Sequence, residues 1–160
     1  MRGHGTMAPV SEHNRRPARA DYVAWRTVTT RWRDDDAYGQ LNNATYYELF
    51  DTAVNAHLFE TTGLNIRSLP AIGVVAETSC RYFREIGFPE PVDMGLVVEK
   101  VGTSSVVYRI GLFQGDGDEA AAEGRFVHVY VDNTHGPGQR PVRPLPHEIR
   151  TVVTALLPAG

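Results

Sequence analysis

Apolar and polar residues begin to alternate strictly after Pro70, and this alternation constrains the fold of the chain more than any other feature. It continues through four segments, 72–82, 92–98, 106–112 and 120–132, which are separated by residues typical of turns. A period of two is the pattern of a strand that buries one face. Strands joined by short turns run antiparallel to their neighbours. The sequence therefore predicts an antiparallel sheet over the second half of the chain.

A strand and one long helix are predicted before this sheet. Residues 22–33 alternate and are rich in β-branched side chains, which favours a strand. Apolar residues at helical spacing predict a helix from about Asn43 to Thr62, with Asn42 or Asn43 as N-cap and Gly63 as the stop. The apolar stripe is wide, so we expect more than half of the helix circumference to be buried. Residues 149–156 predict a short closing helix.

The order of these elements predicts an α+β fold with about five strands and one long helix. The chain has 160 residues, which suits a single domain with one core. We place that domain at residues 21–160 and expect 1–20, which are rich in Arg, His, Pro and Gly, to form a disordered tail. One helix cannot cover a broad sheet alone, so we expect the chain to pair with a second copy.

Composition limits the partners and the compartment of this protein. The formal net charge is −3, so no overall positive field favours nucleic acid or an anionic membrane. The single cysteine, Cys80, cannot build a disulfide framework or a cysteine-rich zinc site, and it fits a reducing compartment. No apolar run reaches the roughly 18 residues of a membrane span. We therefore expect a cytoplasmic protein.

Three consecutive carboxylates, Asp34, Asp35 and Asp36, stand just before the predicted helix. Crowding should raise at least one of their pKa values, whereas the helix N-terminus favours the anion. A carboxylate under these opposing influences suits a general base or a nucleophile. Free backbone N–H groups at the same helix end could polarise a carbonyl oxygen. The segment is thus a candidate acyl-transfer site, although a solvated acidic loop that caps a helix remains the alternative.

Other site chemistries fit the sequence poorly. An EF-hand loop starting at Asp34 would place Tyr38 at its fifth position and Thr45 at its twelfth, where glutamate is needed, so calcium is not expected. There is no G-x-S-x-G, no P-loop and no H-E-x-x-H, and we expect no metal and no cofactor. His57 and His128 fall on apolar faces and are expected to be satisfied core or interface residues.

The run RWRDDDAYGQLNNATY, residues 31–46, resembles the signature of the 4-hydroxybenzoyl-CoA thioesterase family. That signature is an aromatic residue, any residue, then D-x-D-x-x-G-H-(V/L)-N-N-x-x-Y, and it opens the long helix. The resemblance covers motif and element order over residues 25–157. It implies a hotdog fold, in which the sheet wraps around the helix, with dimers and often tetramers whose active sites lie at the dimer interface.

The resemblance also implies roles for single residues. The catalytic aspartate would be Asp36, which attacks the thioester carbonyl or activates water, and Asn43 stands where some relatives carry a catalytic histidine. Amides near Asn42 and Asn43 would hold the carbonyl oxygen. Residues expected to line the substrate site are Tyr38, Gly39, Gln40, Asn42 and Tyr46. The substrate would be an acyl-CoA or acyl-carrier-protein thioester, with coenzyme A as part of that substrate.

Two departures from the family pattern keep other functions open. Gln40 replaces the usual histidine and does not titrate, and Gly102 and Thr103 stand where relatives carry an arginine pair for the nucleotide. Other candidate phosphate partners are Arg81, Arg84 and Arg109, each of which could instead form a structural ion pair. The alternatives are a non-catalytic thioester-binding protein and an enoyl-thioester hydratase. The hydratase needs a histidine about five residues after the aspartate, where this chain has Leu41.

Overall fold

The computed structural model describes residues 15–159. Five strands and two α-helices follow each other in the order β1, α1, β2, β3, β4, β5, α2. Their bounds are β1 Ala24–Val28, α1 Asn43–Thr62, β2 Ala71–Tyr82, β3 Val92–Val101, β4 Ser105–Phe113, β5 Ala122–Asp132 and α2 His147–Thr154. The five-stranded antiparallel sheet with one long helix packed against it agrees with the predicted α+β class.

The sheet order is β1-β3-β4-β5-β2. The expectation that all four alternating strands are joined to the next by a short hairpin turn is therefore wrong for β2 and β3. β2 does not pair with β3, its neighbour in sequence, but with β5, over a register that runs from Ala71 opposite Asp132 to Tyr82 opposite Ala122. Residues 83–91 are long enough to cross to the far side of the sheet, so they do not act as a hairpin turn. β2 is therefore an edge strand, and residues 74–79 are exposed.

Helix α1 begins and ends where its capping residues predict. Asn42 is the N-cap, and its side chain accepts a hydrogen bond from the amide of Ala44, while Gly63 ends the helix in the left-handed conformation. The buried side chains form one stripe: Thr45, Tyr46, Phe50, Ala53, Val54 and Leu58. The expectation of burial over more than half of the circumference was wrong for the single protomer. The opposite face, including Asp51, Thr52 and Phe59, is exposed along a groove of about 640 Å³.

The first strand is shorter than the predicted 22–33. β1 ends at Val28, and a 3-10 helix covers Trp32–Asp34 instead of strand. The reason is local, because the carboxylate of Asp34 accepts hydrogen bonds from the amide of Arg31 at 2.7 Å and from its guanidinium at 2.8 and 3.0 Å. These bonds turn the chain away from the sheet and towards the start of α1.

The N-terminal segment is only partly described. Residues 1–14 of the expected tail lie outside the described residues. Residues 15–20, however, are part of the folded domain, since Ala18 forms an isolated β-bridge with Glu119 and Pro17 accepts a backbone hydrogen bond from Ala120 at 2.8 Å. The guanidinium of Arg19 also lies 4.8 Å from the ring centre of Phe113. Within residues 15–159, no helix is long and apolar enough to cross a bilayer.

Candidate active site

The three consecutive aspartates have three different environments. Asp34 is buried, with 6% of its surface exposed, and its backbone carbonyl accepts a hydrogen bond from the amide of Asn42 at 2.8 Å. Burial tends to raise the pKa of Asp34, but the hydrogen bonds and charge of Arg31 outweigh it and lower the pKa below its usual value. Asp34 is therefore not the aspartate whose pKa is raised by carboxylate crowding. Asp34 therefore joins the loop to the helix and is not placed for chemistry.

Asp35 anchors the loop to a distant segment. Its carboxylate accepts the amide hydrogen of Phe88, with the nitrogen 3.1 and 3.2 Å from the two oxygens. The amide of Leu41 donates to the carbonyl of Ile86 at 2.7 Å, which reinforces the same connection. Asp35 thus holds residues 34–41 against the segment that follows β2.

Asp36 is the aspartate with a free carboxylate oxygen. Its Oδ1 accepts hydrogen bonds from the amides of Tyr38 at 2.8 Å and Gln40 at 3.2 Å, whereas Oδ2 bonds to no described residue. The backbone amide of Asp36 donates to the carbonyl of Gln40 at 2.7 Å. This tight turn requires a φ of +77° at Gly39, which is the left-handed region that glycine adopts without strain. The loop thereby orients one oxygen of Asp36 and leaves the other available.

The first turn of α1 offers fewer free amides than its position in sequence suggests. The amide of Asn42 is bound to Asp34, the amide of Ala44 donates to the side chain of Asn42 at 3.0 Å, and the amide of Thr45 donates to the Asn42 carbonyl at 2.9 Å. The amide of Asn43 makes no hydrogen bond with any described residue. Asn43 is therefore the position of this turn that could still donate to a ligand oxygen.

A cleft of about 410 Å³ brings these groups together. Four of the seven predicted site residues line it: Asp36, Gln40, Asn43 and Tyr46. The other three do not. Tyr38 points into solvent with 88% of its surface exposed, Gly39 shapes the turn, and Asn42 caps the helix. Their contribution to the site is therefore through the backbone of the loop.

The far wall of the cleft consists of four residues, of which the sequence had indicated only Arg84, as a candidate phosphate partner. They follow one another at the end of β2 and just beyond it: Tyr82, Phe83, Arg84 and Glu85. The Tyr82 hydroxyl donates a hydrogen bond to Oδ1 of Asn43, and its ring packs edge-on against Tyr46 with centroids 4.9 Å apart. Only the long-range contact between β2 and α1 reveals this wall, because no local pattern connects residues about forty positions apart.

The electrostatics of the cleft come from few groups. Burial raises the pKa of Tyr46 to about 12, with smaller contributions from the charges of Cys80, Glu85 and Asp36. Burial also raises the pKa of the Cys80 thiol to about 11, so it is protonated near neutral pH and suits packing, not nucleophilic attack. Glu85 gives the cleft a second carboxylate beside Asp36. The cleft therefore contains two carboxylates, of which the sequence had indicated only Asp36.

The three arginines considered for phosphate binding differ in what they contact. Arg109 is committed to the sheet by ion pairs with Glu99 at 2.8 Å and Glu123 at 3.0 Å. Arg84 lines the cleft and donates to the carbonyl of Gln114 at 2.5 Å. Arg81 stacks over the ring of Phe83 at 5.2 Å and forms no ion pair within the described part of the chain. Of the three, Arg81 and Arg84 lie near the cleft.

Neither of the two histidines considered above lines this cleft. His57 is half-buried on α1, and burial together with the nearby charge of Arg26 lowers its pKa. His128 is buried in β5, as expected for a core residue, but its Nδ1 has no hydrogen-bond partner, so the expectation that it is satisfied was wrong. Among residues 15–159, no cluster of three or more His, Cys, Asp or Glu side chains could hold a metal ion.

Solved structures with similar folds support a thioesterase relationship. The PA5185 protein from Pseudomonas aeruginosa strain PAO1 is 44% identical, with a TM-score of 0.83 over 91% of this chain and 99% of that one. PA2801 from Pseudomonas aeruginosa, described as a proposed thioesterase, is 28% identical, with a TM-score of 0.71 over 81% of this chain and 96% of that one.

A third structure shares the fold alone. Slr0204 from Synechocystis, a 1,4-dihydroxy-2-naphthoyl-CoA thioesterase, is 13% identical, with a TM-score of 0.71 over 81% of this chain and 94% of that one. A comparison with curated proteins finds no match. The model of the thioesterase-like superfamily matches residues 30–155, which include the aspartate loop, α1 and all of the sheet except β1. The chain therefore belongs to the thioesterase-like superfamily and has the hotdog architecture of its structural neighbours.

Proposed function

We propose that this protein hydrolyses an acyl-CoA or acyl-carrier-protein thioester to a free acid and a thiol, with Asp36 as the catalytic carboxylate. One observation carries the proposal: Asp36, whose Oδ2 is free, and Asn43, whose amide is unbonded, line the same cleft. Thioester hydrolysis needs a carboxylate base or nucleophile and a donor for the developing oxyanion. Membership of the thioesterase-like superfamily supports the same reaction.

Two routes use these groups without any cofactor. In the first, Oδ2 of Asp36 attacks the thioester carbonyl carbon, the C–S bond breaks to release thiolate, and water then hydrolyses the acyl-aspartyl anhydride. In the second, Asp36 takes a proton from a water molecule that attacks the same carbon, and the C–S bond then breaks to release thiolate and leave the carboxylic acid. In both, the Asn43 amide donates to the carbonyl oxygen as it gains negative charge. A single turnover in ¹⁸O-labelled water separates the two routes. In the second route the label enters the product acid, whereas in the first, attack of water on the aspartyl carbonyl of the anhydride places the label in Asp36 and leaves the first product unlabelled.

Coenzyme A is favoured as the carrier by two features. The Synechocystis neighbour acts on a CoA thioester, and Arg81 and Arg84 lie beside the cleft, where they could contact phosphate groups. The net charge of the chain is −3, so attraction of the polyanionic carrier depends on these local cations.

We further propose that the working unit is a homodimer, assembled in turn into a tetramer. β2 has twelve residues, pairs on one side only, and exposes Val74 and Val75 by 38% and 47%. A long edge strand with exposed apolar side chains is a template for pairing with another strand. Antiparallel pairing of β2 with the β2 of a second copy would continue the sheet across the two protomers, and the exposed face of α1 would meet its counterpart.

Replacement of Asp36 by asparagine tests the catalytic assignment. We expect Asp36→Asn to lower kcat by about 10²- to 10⁴-fold on every CoA thioester that the parent cleaves, because the amide can neither accept a proton nor attack. Thiol release with a colorimetric trap measures it. Asp35→Asn is the matched control, since the amide oxygen can still accept the hydrogen bond of Phe88, and it should retain most of the activity.

Three measurements, thiol release, thioester binding and crotonyl-thioester hydration, decide between hydrolysis and the alternatives. Full activity in Asp36→Asn would exclude Asp36 as the catalytic group. Tight thioester binding without thiol release by the parent would favour the non-catalytic protein, to which Gln40 and the already bonded Asn43 side chain also point. Hydration of a crotonyl thioester would favour the hydratase, although neither His57 nor His128 lines the cleft.

A further inference from the structure

Glu85 is the second carboxylate of the candidate active-site cleft, and neither proposed route of hydrolysis uses it. It lies three residues beyond the end of β2, lines the cleft together with Asp36, and is exposed to water. Its side chain forms no hydrogen bond and no ion pair with any residue between 15 and 159. A carboxylate that faces a cleft without a partner is available to take a proton there.

The backbone just after Glu85 is held tightly against the aspartate loop. The amide of Leu41 donates to the carbonyl of Ile86 at 2.7 Å. A Cβ at Gly87 would lie 2.8 Å from the carbonyl oxygen of Gly39, so a side chain at this position would force the two segments apart. These two contacts fix the backbone of Glu85 beside the loop that carries Asp36.

Asp36 is folded back towards the same contact. Its amide donates to the carbonyl of Gln40 at 2.7 Å, and its Oδ1 accepts from the amide of Gln40 at 3.2 Å, which brings Asp36 next to the residue that precedes Leu41. Burial is the main reason that the pKa of Tyr46 rises to about 12, and the charges of Glu85 and Asp36 are among the smaller contributions. Both carboxylates therefore lie around the same part of the cleft.

The first proposed route needs a second base, because Asp36 cannot take a proton while it carries the acyl group. The other side chains that line the cleft are apolar, amide, phenol or guanidinium groups. The phenols are those of Tyr46 and Tyr82, and burial raises the pKa of both, so they stay protonated near neutral pH. Amides do not titrate, and a guanidinium keeps its proton. Among the cleft-lining residues of the described chain, Glu85 is the remaining proton acceptor.

We propose that Glu85 is the general base of the second half of the reaction, in which water hydrolyses the anhydride formed between the acyl group and Asp36. This inference rests on the proposed thioester hydrolysis and on its first route. The water oxygen bonds to the aspartyl carbonyl carbon while its proton passes to Glu85, and the bond between that carbon and the bridging oxygen breaks. The acid leaves as its carboxylate, Asp36 is restored, and one of the two released protons goes to the thiolate.

Glu85→Gln tests the assignment, because the amide keeps the size of the side chain but cannot take a proton. The probe is the fastest-cleaved of acetyl-CoA, hexanoyl-CoA and benzoyl-CoA, which is mixed rapidly with enzyme in the presence of a thiol trap. We expect a burst of about one thiol per Asp36, followed by a steady rate about 10²-fold below that of the parent. The burst arises because Asp36 can still be acylated, whereas the attack of water is slow.

Two further variants control for effects other than the loss of a base. Glu90→Gln makes the same chemical change in the same segment but outside the cleft, and it should keep the parental time course. Glu85→Asp keeps a carboxylate on a shorter side chain, so it should recover part of the steady rate that Glu85→Gln loses. A steady rate in Glu85→Asp as low as that in Glu85→Gln would count against a role as base.

Hydroxylamine provides an independent measurement on the same variant. It is a nucleophile that attacks an anhydride without a general base, so it removes the acyl group from Asp36 as the hydroxamate and restores the carboxylate. After subtraction of the enzyme-free reaction, we expect hydroxylamine to raise the steady rate of Glu85→Gln by about tenfold and that of the parent by much less. Equal stimulation of the two enzymes would contradict a defect in the attack of water.

The possible outcomes separate the role of Glu85 from the hydrolysis itself. Parental kinetics in Glu85→Gln, or a slow steady rate without a burst, would overturn the role of Glu85 and leave the thioesterase proposal intact. Label from ¹⁸O-water in the product acid of a single turnover would do the same, because the second route forms no anhydride. A parent that cleaves none of the three thioesters would overturn the proposed hydrolysis, and the role of Glu85 with it.

Discussion

The two ends of α1 differ in how their polar groups are satisfied. At the N-terminal end, Asp34, Asn42 and Asn43 are joined to neighbours by hydrogen bonds, and the free groups are Oδ2 of Asp36 and one amide. At the C-terminal end, a cavity of about 180 Å³ is lined mostly by aliphatic side chains and also by His128, whose buried Nδ1 has no partner. The N-terminal end therefore presents free polar groups, whereas the C-terminal end presents an apolar cavity.

This difference predicts that substitutions at the N-terminal end of α1 affect mainly activity and that substitutions at the C-terminal end affect mainly stability. Apart from Asp34 and Thr45, the polar residues at the N-terminal end are exposed or half-buried, so their loss changes little apolar burial. Four residues at the C-terminal end, Leu58, His128, Tyr130 and Ile149, are buried in the core, so their truncation leaves a void or an unpaired group. The following predictions test that separation, from the largest expected effect to the smallest.

Leu58→Ala should have the largest effect on stability. Leu58 is 1% exposed and already borders the cavity, so truncation enlarges an existing void, and we expect the free energy of unfolding to fall by about 3 kcal/mol. Urea denaturation followed by circular dichroism measures it. Glu48→Ala, on the exposed side of the polar end of α1, is the control and should change the free energy by less than about 0.5 kcal/mol. Equal losses for both would refute the contrast between the ends.

The pH dependence of stability should reveal the burial of His128. Its pKa falls from 6.5 to about 4 on folding, so the unfolded chain binds the proton more readily and stability declines as the pH drops below about 6.5. This linkage predicts a loss of about 2 kcal/mol between pH 7 and pH 5 from His128 alone.

Comparison with His128→Phe isolates this contribution. The variant cannot titrate at residue 128, so its free energy of unfolding should fall less over the same pH interval. If the free energies of unfolding of the parent and the variant changed in parallel with pH, folding would not lower the pKa of His128.

Tyr82→Phe should affect activity at the polar end and leave stability nearly unchanged. The substitution keeps the ring against Tyr46 but removes the hydroxyl that orients the Asn43 side chain. We expect kcat to fall about five- to tenfold with little change in KM, which corresponds to the loss of one hydrogen bond. Tyr38→Phe is the control, because Tyr38 is exposed and outside the cleft, and its kinetics should match the parent.

Asn42→Ala should have the smallest effect. The alanine cannot accept the hydrogen bond of Ala44, so helix α1 loses its N-cap and stability falls by about 1 kcal/mol. Asn42→Ser retains a capping oxygen and should recover most of the difference in thermal denaturation. If serine were as damaging as alanine, the side chain of Asn42 would have a role beyond capping.

Features that depend on neighbours in sequence were predictable. The bounds of α1, its N-cap at Asn42 and its stop at Gly63 follow from residues within one turn of each end. The closing helix and the strands β3 to β5 could also be predicted from the sequence pattern. The strand predicted over 22–33 was too long, because the Asp34 carboxylate bonds to Arg31 and turns the chain. A pattern of alternating residues does not reveal such a side-chain hydrogen bond.

Features that depend on pairing between distant segments could not be predicted from the sequence. The position of β2 at the sheet edge requires its pairing with β5, and alternation marks a buried face without naming a partner. The same limit hid Tyr82 and Glu85 from the site, and it hid the unpaired Nδ1 of His128.

Asp36 illustrates the division between local chemistry and long-range contact. The order of residues from Asp34 to Asn43 was sufficient to indicate a carboxylate beside a helix N-terminus, because turns and caps are built from adjacent groups. Local groups also occupy the Asp34 carboxylate and the amides of Asn42 and Ala44. Long-range contacts decide the rest, because the amide of Phe88 occupies the Asp35 carboxylate and the hydroxyl of Tyr82 occupies the Asn43 side chain. Only the folding of the chain brings the end of β2 and the segment after it within bonding distance of this loop.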